Sequence, residues 1–244
     1  MRKSVIAILA VFAVFALLAL PAAAEDLSTD KIILVFGNGY SDTNPDKVTI
    51  SFGVETINPD AKKAQSENAE AMNKVIAALK KAGIKDENIK TSGYSIYSYE
   101  ISEYQTGKWD IGTTVYEVTN TVQVISYEVD KAGSYIDAAV DAGANKVNSL
   151  QFGLSNEKQI IERNKAIISA VKSAKADADS VSSALGIKIT GTGKISVDQS
   201  YNAVSYPNVN LKTEAMGAVM DSASTAIESG KLKTTATVSI VYTY

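Results

Sequence analysis

The sequence predicts an α+β fold, with mixed, largely antiparallel sheets and amphipathic helices packed on them. Three observations carry that expectation. β-Branched runs of alternating polarity recur along the chain, as half-buried strands require. Two capped amphipathic segments are each flanked by such runs, giving two β-α-β rounds. One much longer helical pattern follows, near 156–185. At 45% hydrophobic residues, the chain can fill one large core or two small coupled ones.

Residues 32–37 and 47–56 read as the first strands. In the second, Val48, Ile50, Phe52 and Val54 alternate with Lys47, Thr49, Ser51 and Glu55. The intervening Gly37 to Asp46 is rich in turn formers and reads as a connection. A helix is then expected with Asn58 as its cap, Pro59 at its first position and Asp60 at the positive end of its dipole. Its apolar face runs through Ala64, Ala71, Met72, Val75, Ile76 and Leu79, and Gly83 closes it. Ile89 to Ile101 returns as a strand, with Tyr94, Ile96 and Ser98 on one face and Ser95, Tyr97 and Tyr99 on the other. The second round has a strand from Val115 to Val129 and a short helix capped by Asp130, with Ile136, Ala139 and Val140 inward. A strand from Val147 to Leu154 completes it. The last strands are 187–197 and 233–244. Between them, 198–230 is polar and poorly periodic, and reads as an irregular arm.

The long helix begins at Asn156 and ends at Gly186. Ile160, Asn164, Ile167, Val171, Ala174, Ala178, Val181 and Leu185 step alternately by four and three, as in a heptad seam. That spacing fits a coiled-coil contact with another protomer, or an amphipathic helix lying on its own sheet. Small Ala174 and Ala178, polar Asn164, and a stripe widened by Ile161 and Ile168 favour the sheet.

The first 24 residues read as a secretory signal peptide: Arg2 and Lys3, an unbroken apolar run from Val5 to Leu20, Pro21, then Ala22-Ala23-Ala24 before Glu25. As a helix the run spans about 24 Å, short of a hydrocarbon core of about 30 Å. Cleavage after Ala24 is therefore expected, leaving one domain over 25–244 outside the cytoplasm, with membrane contact only through an uncleaved segment. The formal net charge of −3 becomes more acidic once Arg2 and Lys3 are lost. Without a basic stripe, nucleic acid is not an expected partner. The chain has neither Cys nor His. Disulfides, thiol nucleophiles, Ser-His-Asp triads and the usual zinc, copper and haem ligand sets are thereby excluded. The sequence assigns no catalytic residue, no metal-ligating set and no cofactor, and it names no binding residue.

Motifs that resemble sites fail on geometry. Gly37 and Gly39 lead into a turn and another strand, whereas a phosphate cradle opens directly into a helix. Asp42-Thr43-Asn44-Pro45-Asp46 imitates the start of a calcium loop, but Lys47 and Gly53 stand where that loop needs Gly and Glu. Asp177 and Asp179, two apart on a helix, point in different directions. The aromatic segment is the best remaining signal. Tyr94, Tyr97, Tyr99, Tyr104 and Trp109, with Tyr116 beyond, suit sugar rings or a protein interface, and equally a hairpin held by cross-strand aromatic pairs. Glu100, Glu103 and Asp110 flank it, so a carboxylate-dependent hydrolase of envelope polysaccharide is the alternative function.

The ordered motifs are similar to those of the SIMPL-domain family, a domain of unknown function found in bacterial periplasmic immunogenic proteins. They run from Gly37-Asn38-Gly39 and Asn44-Pro45-Asp46 through Gly53-Val54-Glu55-Thr56, Tyr116-Glu117-Val118-Thr119-Asn120 and Ala142-Gly143-Ala144-Asn145 to Ile227-Glu228-Ser229-Gly230-Lys231. Lys47 and Ser229 depart from the family pattern. The resemblance implies an α+β protein and, from some members, ring-shaped or channel-like homo-oligomers. It supplies no catalytic set. Self-association is the expected partner relation, with an envelope protein or glycan as a further partner and the aromatic end and the 198–230 arm as contacts.

Overall fold

The computed structural model describes residues 31–102, 108–198 and 225–244. The signal segment, Glu103, Tyr104 and most of the 198–230 arm lie outside them. Seven strands and three α-helices are described: β1 (Ile32–Thr43), β2 (Lys47–Asn58), α1 (Ala61–Lys81), β3 (Ile89–Glu100), β4 (Thr114–Ser126), α2 (Ala132–Asp141), β5 (Lys146–Gly153), α3 (Asn156–Leu185), β6 (Gly191–Val197) and β7 (Leu232–Thr243). They form an α+β protein with two sheets, ordered β1-β7-β6 and β3-β4-β2-β5, in which every pairing is antiparallel.

The four-stranded sheet carries the larger core. Alternation along β2 and β4 sends Val48, Ile50, Phe52 and Val54, and Val118, Val122 and Val124, to one face, where α1 and α2 cover them. The cap of α1 differs from expectation. Asp60, in an extended conformation, accepts from the amides of Lys62 and Lys63 at 2.8 and 3.1 Å, while Asn58 forms a turn just before it by accepting from the Asp60 amide at 3.0 Å. Asn68 is fully buried on the inner face, and its Nδ2 donates to the carbonyls of Val54 and Val118 at 2.9 and 3.0 Å. The apolar pattern of the sequence passes over it.

The second round departs in a similar way. β4 ends at Ser126, and Val129–Lys131 forms a 3₁₀ turn, so Asp130 does not cap α2. Val140 is exposed and Tyr135 takes an inward place, because its hydroxyl donates to Glu128 at 3.2 Å and accepts from Ser126 at 3.2 Å. A phenol that finds polar partners packs as a large apolar side chain.

The three-stranded sheet joins the two ends of the described chain. β1 and β7 pair from Ile32 with Thr243 to Thr43 with Leu232. The stretch expected as a turn-rich connection is therefore mostly strand, and Gly37 and Gly39 lie within β1. Their reason is the approach of α3. A Cβ on Gly37 would stand 2.0 Å from the carbonyl oxygen of Ala170, and one on Gly39 would stand 2.2 Å from that of Ala166. Strand and helix backbones touch here.

α3 meets that strand along Glu162, Ala166, Ala170, Ala174, Ala178 and Ser182, all buried. A step of four exceeds the helical repeat, so the contact line drifts by about 40° per step and follows the inclined i±4 ridge. The heptad seam is consequently not the buried face. Ala174 and Ala178 belong to both patterns, but Ile160, Asn164, Val171, Val181 and Leu185 are exposed. Ser155 caps the helix, with its amide and hydroxyl both bonded to Asp46 at 2.7 Å, and Lys158 reaches the Asn44 carbonyl at 2.8 Å. Asn44-Pro45-Asp46 thus clamps the start of α3.

Candidate functional site

The aromatic segment divides over the two faces of β3, as strand alternation requires. Tyr94 and Ile96 share the helix-covered side but sit beyond the cover, 52% and 45% exposed. Tyr97 and Tyr99 lie on the other side, their ring centroids 6.0 Å apart. Opposite them stand Glu117 and Val115, and Tyr116 faces Ser98. The described hairpin is therefore not held by cross-strand aromatic pairs. Trp109 carries the Lys108 ammonium 5.0 Å from its ring centre.

On this side lie two polar pairs, Tyr97 with Glu117 and Glu55 with Lys146. The Tyr97 hydroxyl donates to the nearly buried Glu117 carboxylate, which pushes the phenol up to about 12, with burial and the charges of Glu117 and Glu55 adding to the effect. Burial first, and then Glu117, raises Tyr99 as well. Glu55 pairs with Lys146, and the hydrogen bond to Glu55 raises that ammonium. Asn145 locks the strand end by donating to the Glu55 carbonyl at 2.7 Å and accepting from its amide at 2.9 Å. Each of the two carboxylates thus has a hydrogen-bond partner.

The carboxylates proposed from sequence do not converge among the described residues. Glu100 and Asp110 are exposed, and Glu103 lies outside the description. Asp46 is engaged with Ser155, and Asp179 pairs with Lys175 at 2.6 Å. Among the described residues, no group of three or more acids is placed to hold a metal ion, and no helix is long and apolar enough to cross a membrane. Ser229, Gly230 and Lys231 border an open groove of about 680 Å³ against Asn44–Asp46 and Tyr127–Lys131.

The least expected surface lies on the three-stranded sheet. Ile33 and Val35 point to α3, so Ile32, Leu34 and Phe36 point away, and no layer among the described residues covers them: they are 47%, 52% and 60% exposed. Tyr40 continues the row at 58%, with the Lys233 ammonium 4.2 Å from its ring centre. An antiparallel sheet with one wet face ordinarily presents polar residues there. The signal was present in the sequence, because Ile32-Ile33-Leu34-Val35-Phe36 is apolar at every position and reads as a strand buried on both faces.

Residues 33–242 match the family model named SIMPL, described as a protein of unknown function (DUF541). The 26 kDa periplasmic immunogenic protein of Brucella melitensis is 29% identical over 173 residues, covering 68% of this chain and 69% of the relative. Its counterpart in Brucella abortus matches to the same extent. The uncharacterized protein YggE of Edwardsiella ictaluri is 27% identical over 157 residues, 64% of each chain. With nearly the whole described fold inside the matched span, the chain belongs to the SIMPL family.

Proposed function

We propose that this is an exported, non-enzymatic protein of the cell envelope whose task is to assemble with copies of itself. The observation that carries the proposal is the uncovered apolar face of Ile32, Leu34, Phe36 and Tyr40. Taking about 200 Å² for each full side chain, these four expose roughly 400 Å², the size of the largest apolar patch on a monomer, which is often functional. Export rests on the signal-like first 24 residues and agrees with relatives named periplasmic. The absence of catalysis rests on the composition, which lacks His and Cys.

Two measurements test the reading. N-terminal sequencing of the exported protein is expected to begin at Glu25; a chain still starting at Met1 would refute cleavage. Sedimentation velocity on residues 25–244 is expected to show a species larger than the monomer. Phe36→Glu should abolish it while leaving the far-ultraviolet circular dichroism unchanged, the check that the variant folds. Undiminished assembly in that variant would refute the role of this face.

A further inference from the structure

The same two-layer unit carries a second apolar surface, on its opposite side. At about 100° per residue, Ile160, Ile168 and Val171 of α3 fall roughly opposite the buried Glu162-Ala166-Ala170 line, with Ile161 beside them. They are 63%, 56%, 38% and 45% exposed. A helix whose inner face is alanine and whose outer face is isoleucine has its larger side chains turned toward water. An ordinary helix on the outside of a domain has the reverse arrangement.

We infer that the outer ridge of α3 docks on the uncovered sheet face of a neighbouring copy. This rests on the self-assembly reading and specifies its geometry. Each copy would then complete the three-stranded sheet of the next as a helix-sheet-helix layer, with its own α3 inside and its neighbour's α3 outside. The ridge exposes roughly 400 Å² by the same reckoning as the sheet face, so one contact removes roughly 800 Å² of apolar side chain from water. At the usual apolar share of about 60%, that corresponds to an interface of about 1,300 Å², above the ~1,000 Å² that specific interfaces need. Pairing sheet face with sheet face would bury a similar area but leave both ridges wet. The ridge-to-face contact uses both surfaces of every copy. It is heterologous, so it propagates from copy to copy, into a ring where the rotation closes and a filament where it does not.

Complementation separates this geometry from the alternatives. Phe36→Glu destroys the face and keeps the ridge; Ile168→Glu destroys the ridge and keeps the face. Both sites are exposed, so both variants are expected to fold, with far-ultraviolet circular dichroism as the check. Each alone should be monomeric, and an equimolar mixture should form a 1:1 dimer of twice the monomer mass, because one intact face meets one intact ridge. The chain has no cysteine, so oxidation gives a second readout. A mixture of Phe36→Cys and Ile168→Cys should yield a covalent dimer that neither yields alone. Covalent dimers from Phe36→Cys alone, or wild-type assembly by Ile168→Glu, would overturn the helix-on-face contact while leaving self-assembly standing. A monomeric wild type would overturn both.

Discussion

Gly37→Ala is the sharpest perturbation of the helix–strand contact. The new Cβ would stand 2.0 Å from the Ala170 carbonyl oxygen and 2.8 Å from both the Ala174 amide nitrogen and the Ala174 Cβ. Because real Cβ contacts essentially never fall below 3.0 Å, β1 and α3 must separate locally by about an ångström. That contact buries Ile33, Val35, Val238, Ile240 and Tyr242. At about 1.5–3 kcal/mol for each large side chain, the layer is worth on the order of 10 kcal/mol. A gap of 0.5–1 Å forfeits about a quarter to a half of the contact energy. After about 0.5–1 kcal/mol is regained from a stiffer unfolded chain, the expected loss is about 3 kcal/mol, at the upper end of usual overpacking costs. Urea unfolding of residues 25–244 reads it as a lowered midpoint with an unchanged slope. Gly193→Ala is the control. Its Cβ would meet Val241 at 3.5 Å, an ordinary contact, and should cost nothing. Ala170→Gly should not rescue Gly37→Ala, because the obstacle is a carbonyl. A loss below about 0.5 kcal/mol for Gly37→Ala would refute the backbone-on-backbone packing.

Three further outcomes follow from buried or paired polar groups. Asn68→Ala removes two buried hydrogen bonds worth about 1 kcal/mol each and leaves a cavity between α1 and the sheet, so denaturant titration should show a loss of about 3 kcal/mol. Lys165, and then Ser41, hold the Glu162 carboxyl below the usual carboxylate range. Its stabilising effect is therefore present at neutral pH and lost as pH falls through that lowered value. Glu162→Gln should be less stable at neutral pH and should lose less on acidification, as read by urea midpoints across pH. The Tyr97 phenol, raised to about 12 chiefly by its bond to Glu117, stays protonated in the folded chain while an unfolded one ionises near 10. Folding should thus weaken between those values, and Tyr97→Phe should remove both that weakening and one late-ionising phenol from the ultraviolet titration.

Local chemistry made much of the fold legible. Period-2 alternation placed β2 and β3 on their correct faces, and Gly186 ended α3 in the left-handed conformation that glycine takes without strain. The errors arose where a tertiary contact outweighed a local preference. Gly37 and Gly39 are turn formers by propensity, yet they sit in a strand because only a missing side chain lets a helix backbone approach. Asn68 is polar and buried because two strand carbonyls accept from it. On α3 the eye follows Ile and Val to a heptad, whereas close approach selects the small residues, and the large ones are turned outward. The apolar ridge follows from that inversion, and the apolar sheet face from a strand that is apolar at every position. The aromatic segment resolved less well from sequence, since Tyr97 finds its partner in Glu117 on another strand rather than in another ring.

Static light scattering on residues 25–244 at micromolar concentration tests the central claim most directly. Self-assembly through the uncovered sheet face predicts a mass several times that of the chain, falling to a single chain in Phe36→Glu. A wild-type mass equal to one chain throughout that range would contradict it.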